Sequence, residues 1–593
     1  MRFKKLTAML GIAVAVAGAA SLVPAATPAS AAVGPGEDRQ ISSPAGWWTY
    51  TGVDASFVSS KLSANGARLT DIKVEGGSPL KFTVTMVRNT GAYGSAWWWY
   101  YGQTASQVVS TGNANNARPI AIHGYNTAEG VRFATVYVSN TGANAEPWSF
   151  YYGTPSYIGS QTAGKRMVSF GRIQGTSYYT ALFGTNSGTD ATGWWWYYGQ
   201  STSQLQSLAT ANGARLVDLD RNNDTGTYNA IMYKNTGGPK WRFYNGYSAS
   251  GLVNKALQDG QRLFDVTPYY VGASKYFAAV GVNNLNALES KLDSQIAGKL
   301  DSGSHGFYFK QVGGSQQAGL LSTRQFEPAS SLKVLYHLKS IDAEEGGTTT
   351  DATSITYHYK NLADPADGNI CPDQYATTTT TNLKNADQQM MWNSDNRMTR
   401  GILEKYGKSA MLSLASSIGM TGTSINHNIG CATPHNYTTL YDLGRVYESF
   451  QNGSVVSNAT WRANFRSRML NQGNFSGFKT AICPVVQQEA ASLGKSSTVA
   501  TNFCDAMNWI AKGGSYQYGG SYPYTVDWSG ANLTGVPFKS GGVVSPKYFT
   551  FGYFVNGLQL NSDTEKNSVS TALGTLYPEA LRPQIRAALL SGW

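Results

Sequence analysis

The sequence predicts a multidomain chain: a β-rich array of five repeats, followed by an α+β domain. Three observations predict it. The 593 residues exceed what one hydrophobic core ordinarily organises, so two or more domains are expected. An arginine-centred strand signal and a Trp/Tyr cluster recur in step through the first half. Near Val282 both markers stop and a helical period without tryptophan takes over.

The first 32 residues read as a secretory signal. Arg2, Lys4 and Lys5 form a positive start, Met9 to Ala20 a short apolar run, and "ATPASAA" a small-residue cleavage site. No later stretch is apolar for long enough to span a bilayer, so a secreted protein without a membrane anchor is expected. The net charge is +11, and charged residues make up only 14% of the chain. Positive residues form no runs, which argues against a nucleic-acid partner.

Residues 33–281 carry the repeats. "GARLTDI", "NARPIAI", "GKRMVSF", "GARLVDL" and "GQRLFDV" centre on Arg68, Arg118, Arg166, Arg215 and Arg262, at intervals of 50, 48, 49 and 47 residues. "GWWTYTG", "AWWWYYG", "PWSFYYG", "GWWWYYG" and "KWRFYNG" keep the same step. Each unit of about 48 residues offers an aromatic strand, a short helix and two more strands. Such a unit cannot bury its own face and must stack on its neighbours, as an arc or a propeller-like ring. Their recurrence in every unit favours the aromatic clusters as packing rather than as a binding site. The units resemble the bacterial tandem repeats found beside serine-hydrolase domains in exported proteins.

Residues 282–593 mix helices with late strands. "LNALESKLDSQIAGKL", "SSLKVLYHLKSIDAEEG", "TRGILEKYG", "AMLSLASSIG" and "TTLYDLGRVYESFQNG" read as helices. "MNWIAKGGSYQY", "FKSGGVVS" and "YFTFGYFVNG" read as strands, and "PEALRPQIRAALLSG" as a closing helix. Strands gathered toward the end predict an α+β domain with an antiparallel sheet. The four cysteines, Cys371, Cys431, Cys483 and Cys504, all lie here. In an exported protein they suggest two disulfides. Of three pairings, Cys371–Cys431 with Cys483–Cys504 is favoured, because the second closes a short local loop. No metal is expected: there is no C-x-x-C and no H-E-x-x-H.

The chemistry centres on "FEPASSLKVLY". Ser330 and Lys333 are three apart and share one helix face. A serine needs a base to take its proton, and a lysine whose pKa is lowered by burial and a nearby cation can be that base. Alone, S-x-x-K is a weak signal. "WNSDNRMT" adds Ser394, suited to relay a proton to a leaving amine, and Asn396, suited to hold a substrate amide and order Lys333. The plain alternative is a polar turn or helix cap. "WIAKGGSYQY" adds Lys512 to bind a substrate carboxylate, and Gly514, where a strand glycine permits close approach. The main-chain N–H groups of Ser330 and Ser515 would then form an oxyanion hole. Here the plain alternative is a bulge on an edge strand.

In order, spacing and context these three elements resemble the S-x-x-K, S-D-N and K-T-G set of the penicillin-recognising serine enzymes. The stretch from Val282 to Trp593 resembles the class A β-lactamase fold along its length. The resemblance implies an acyl-enzyme hydrolase acting on a peptide, cell-wall or β-lactam substrate, with no cofactor. Two departures qualify it. The third element reads Lys-Gly-Gly, and the "FKSGG" at Lys539 is read as the following strand. The loop "TGTSINHNIGCATPHNYTT" also lacks the glutamate with which class A enzymes activate the deacylating water, although His427 and His435 are present. That weakens an antibiotic-resistance reading and leaves a D-Ala-D-Ala peptidase, another peptidase or an esterase-like activity. The architecture is also similar to the secreted polyglycine hydrolases, which cut Gly-Gly bonds. The rival reading is a wall- or glycan-binding protein whose repeats hold a polymer or protein target beside a non-catalytic β-lactamase-like module.

Overall fold

The computed structural model describes residues 43–142, 145–188, 191–431, 433–470 and 472–593. The expected signal, residues 1–32, lies outside them. The chain divides into two compact units after Leu285. The division falls beyond the change of pattern at Val282 because Val282 still pairs with Trp241 in the last repeat sheet.

The first unit holds five separate three-stranded sheets of one design. In the first, strand Trp47–Val53 leads through helix Ala55–Asn65 to strands Ala67–Gly76 and Lys81–Arg88, the last of which lies in the middle. The local sequence fixes the helix. Asp54 accepts a hydrogen bond from the Phe57 N–H at its start, and Gly66, at φ 54°, ends it in the left-handed region. Thr104 and Ser201 make capping boxes with Gln107 and Gln204 at equivalent positions. The five arginine-centred strands share one register. All are bulged at the same point, between Leu69 and Asp71 in the first and between Leu263 and Asp265 in the fifth.

Neighbouring sheets interlock through the recurring residues. Phe82 meets Trp99 of the next repeat edge to face, and Phe170 meets Trp196. The aromatic clusters are thus packing between repeats. The repeat arginines are buried, and Arg166 lies over the Tyr233 ring of the repeat that follows, 5.2 Å from its centroid. In the same way Arg262 of the fifth repeat lies over Tyr93 of the first, at 5.1 Å. Thr85 Oγ1 donates to the Phe264 carbonyl (3.2 Å), and Lys73 pairs with Asp265 (3.4 Å). Of the two arrangements open to the sequence, these contacts between the fifth and first repeats are those of a ring.

The second unit is α+β. Its elements include α1 (Ala287–Ile296), β1 (Ser304–Gln311), β2 (Gln316–Leu320), α2 (Lys333–Glu345), α3 (Asn396–Tyr406) and α4 (Leu440–Asn452). Then come β3 (Asn508–Tyr518), β4 (Tyr524–Ser540), β5 (Val543–Leu560) and α5 (Asp563–Leu590). The sheet is antiparallel, in the order β2-β1-β5-β4-β3, so β3 is an edge strand. Two expectations need correction. The strands do not all gather at the end, because β1 and β2 open the domain and complete the sheet. Nor is "FKSGGVVS" one strand. Ser540 pairs with Val543 across Gly541 (φ 58°) and Gly542 (φ 83°), whose positive φ values make the tight hairpin between β4 and β5. Lys539, at the end of β4, lies over the Trp593 ring. The expected disulfides, Cys371–Cys431 and Cys483–Cys504, are both present. No helix among the described residues is long and apolar enough to cross a membrane.

Candidate active site

α2 is buried along most of its length, including Lys333 at its first turn. A helix enclosed on all sides is held by packing rather than by one face, which fixes where its N-terminus points. Ser330 lies in the 3-10 turn Ala329–Leu332 that leads into it. Ala329 enters that turn at φ 46°, a left-handed conformation that costs a non-glycine residue about 1 kcal/mol or more. Its N–H donates to Glu327 Oε1 (3.1 Å).

The remaining elements converge on this turn. Lys333 Nζ donates to the Ser394 carbonyl (2.5 Å), to Ser394 Oγ (3.2 Å) and to Asn396 Oδ1 (2.7 Å). Lys512 Nζ donates to the same Ser394 hydroxyl (2.9 Å) and to the Gly513 carbonyl (3.1 Å). Ser394 Oγ therefore bridges the two lysines. Ser394 sits at φ 57°, so both sequence elements carry a left-handed residue at the site. Between Ser394 and Asn396, Asp395 does something else. It caps α3, accepting from the N–H groups of Arg397 (2.8 Å) and Met398 (3.3 Å), and it pairs with the Arg397 guanidinium (2.7 Å). The cap expected as the plain reading of this motif and the functional one are both present, on different residues.

The Lys-Gly-Gly element is not bulged: Gly513 pairs with Gly530 and Gly514 with Ser529 in unbroken register. Gly514 is required by proximity. A Cβ there would lie 2.4 Å from the Ser330 nitrogen and 2.6 Å from that of Ser331. Strand β3 thus runs its backbone against the Ser330 turn, which only glycine permits. Ser515 and Ser330 line one cavity of about 1060 Å³ together with Ser394, Asn396 and Lys512.

Both lysines are held below their ordinary range. Burial and the charge of Lys512 hold Lys333 well below the usual lysine range, with Asp395 opposing. Burial lowers Lys512 to about 8. The Cys371–Cys431 disulfide ties the flanking loops. Its neighbour Ile370 accepts a hydrogen bond from Asn396 Nδ2 (3.3 Å), and its neighbour Gly430 donates to Tyr516 Oη (2.8 Å).

One residue near the site was not singled out from sequence. Glu327 is buried, and its Oε2 accepts from the Asn436 N–H (2.7 Å) and lies 3.4 Å from His427 Nε2 and 3.3 Å from His435 Nδ1. Both loop histidines are therefore engaged by a carboxylate from the segment before Ser330, and Glu327 anchors the loop. The one signal in the sequence is an acid wedged between Phe326 and Pro328 in a stretch that otherwise reads as core. Among the described residues lining the cleft there is no carboxylate and no histidine.

Over residues 287–507 the chain matches the β-lactamase enzyme family. The second unit is accordingly a β-lactamase-like α+β domain. Similar solved structures include a β-lactamase from Chitinophaga pinensis, at 12% identity over 50% of this chain and 99% of that one, with a TM-score of 0.36. PBP-A is similar at 14% identity over 50% of this chain and 97% of that one, with a TM-score of 0.36. A class A β-lactamase from Bacteroides cellulosilyticus is similar at 13% identity over 50% of this chain and 97% of that one, with a TM-score of 0.37. No curated protein matches the chain.

Proposed function

We propose that the chain is a secreted serine hydrolase that opens an amide, peptide or β-lactam bond through an acyl-enzyme on Ser330. The observation that carries this reading is the pair of buried lysines joined through one hydroxyl, Ser394 Oγ, beside the Ser330 turn. Lys333 donates three hydrogen bonds as an ammonium. With its pKa lowered it readily gives up one proton, and the neutral amine then has a lone pair to take the Ser330 hydroxyl proton. Ser330 Oγ bonds to the carbonyl carbon, and the carbonyl oxygen becomes an anion facing the N–H groups of Ser330 and Ser515. The proton passes from Lys333 through Ser394 to the leaving nitrogen as the C–N bond breaks. Lys512, still protonated, holds a substrate carboxylate, and Asn396 positions the acyl amide. Water then hydrolyses the ester and returns the proton to Ser330.

The cleft's described lining offers no carboxylate to activate that water. This favours a peptidase over an antibiotic-clearing enzyme: a β-lactam would acylate Ser330 and leave slowly. The test is the intact mass of the protein over hours after mixing with a penicillin, beside Ser330→Ala. A persistent adduct that needs Ser330 supports the reading, whereas an adduct on the variant would sink it. If penicillin leaves no adduct on the native chain, D-Ala-D-Ala and glycine-rich peptides become the substrates to assay. Failure to cleave any of them would leave the rival reading, a binding protein with a non-catalytic module.

A further inference from the structure

The first unit carries a cavity of about 490 Å³ that the acyl-enzyme chemistry does not use. It lies where the arginine-centred strands end, and all five repeats line it, through Lys73, His123, Gln174, Asp220 and Thr267 among others. Its volume falls in the range of small-molecule sites.

The shared register allows the repeats to be compared residue by residue. At the arginine position all five agree: Arg68, Arg118, Arg166, Arg215 and Arg262 are all buried. Five residues further along, the equivalent positions hold Lys73, His123, Gly171, Asp220 and Thr267. Where a position only joins one repeat to the next, one solution serves every unit. Five solutions at one level indicate that the level does something no single repeat does. A Cβ on Gly171 would lie in ordinary contact with Asp220, 3.4 Å from its Cγ, so the two positions are neighbours across repeats.

The lining also defines the ligand's chemistry. Its charged members are two cations, Lys73 and Arg221, and two anions, Glu75 and Asp220, so no net charge favours a phosphate or a polyamine. Each of the four already has a partner. Lys73 pairs with Asp265 and Asp71, and Glu75 with Lys275. Arg221 lies 3.7 Å above the Tyr269 ring centroid, and Asp220 accepts from the Arg172 N–H (2.7 Å) and Asn229 Nδ2 (3.1 Å). What stays open is neutral. His123 is 8% exposed, and its Nδ1 accepts from the Val74 N–H (3.2 Å), so the ring proton is on Nε2, a donor. Burial and the Lys73 charge keep this ring uncharged. Asn223, a neutral amide in the same lining, is exposed. Tyr270, 58% exposed, flanks the opening. An aromatic face beside unspent neutral donors and acceptors matches a sugar ring, with its apolar C–H face and its hydroxyls.

We propose that this cavity binds the end of a neutral saccharide, independently of the chemistry at Ser330. The test uses the full chain, titrated by saturation-transfer NMR with the neutral disaccharides chitobiose, cellobiose, maltose and mannobiose, and with inorganic phosphate and cadaverine as charged probes. At least one disaccharide should bind with a Kd of about 1 mM or below. Tyr270→Ala and Asn223→Ala, both exposed residues of the lining, should weaken it about tenfold or more. Circular dichroism and Ser330 acylation should stay as in the native chain. The proposal is overturned if no disaccharide binds at about 10 mM. It is equally overturned if binding survives both substitutions, or if a charged probe binds there in place of the sugars.

Discussion

Each unit encloses a lysine almost completely, and the two lysines have been driven in opposite directions. Lys73 is 3% exposed and Lys333 0%. Burial alone would lower both. Around Lys73, however, Asp265, Asp71, Asp218 and Asp220 outweigh burial and hold it above the ordinary lysine range. Around Lys333 the charge that acts most strongly is another cation, Lys512, and its hydrogen-bond partners are a carbonyl, a hydroxyl and an amide. The first lysine is a fixed charge that joins strands from different repeats, and the second is a lysine that gives up its proton readily, as the proposed base must. Depth of burial does not separate a structural lysine from a base, whereas the sign of its surroundings does.

The largest effect expected from this contrast is a pair of substitutions with opposite readouts. Lys333→Met should cut the rate of Ser330 acylation by about 10³-fold, as loss of a general base does, while thermal unfolding changes little. Lys73→Met should leave acylation untouched but destabilise the first unit by about 3–5 kcal/mol, because it strips the cation from a buried ion pair. Acylation kinetics and differential scanning calorimetry on both variants measure this, and a catalytic defect in Lys73→Met would break the comparison.

A second, smaller contrast sets two strand glycines against each other. Gly514→Ala places a Cβ 2.4 Å from the Ser330 nitrogen, so the Ser330 turn must shift. A displacement of about 1 Å at a reacting group costs on the order of 10²-fold in rate. Gly171→Ala meets Asp220 only at 3.4 Å and should change stability by about 1 kcal/mol, without effect on acylation. Stopped-flow acylation and chemical denaturation of the two variants distinguish the outcomes.

The smallest effect is in pH. The proposed mechanism needs Lys333 neutral, so kcat/KM should rise with pH as that lysine, held low by burial and Lys512, loses its proton. It also needs Lys512 charged, and burial lowers that group to about 8. Above about pH 8 the rate should therefore fall for substrates bearing a carboxylate, chiefly through KM. For substrates without one the falling limb should disappear. A limb that persists in their profiles would show that Lys512 does not hold that group.

These contrasts also mark what could be read along the chain. Ser330 and Lys333 were legible because their relation is a single helical turn. Lys512 and Gly514 were legible because two glycines inside an apolar strand demand a reason. Glu327 was not, since the groups that engage it, His427, His435 and Asn436, come from a distant loop. Strand β2 was missed because it is a short edge of polar and small residues, "QQAGL", with little alternation to detect. Helix Gln472–Ser492 was missed partly because Pro484 interrupts an otherwise helical run.

The sequence by itself determined the repeat period, the strand and helix content of each repeat, the change of pattern near Val282 and the spacing of the three motifs around Ser330, Ser394 and Lys512. All of these depend on periods of two or 3.6 residues, on turn residues or on self-similarity, which are properties of neighbouring residues. Only the tertiary structure decided that the repeats close on themselves, that Gly514 lies against Ser330, and which charges surround each buried lysine. Electrostatic fields and steric contact act through space, and the groups that set them, Asp265 for Lys73 and Lys512 for Lys333, are brought close only when the sheets assemble.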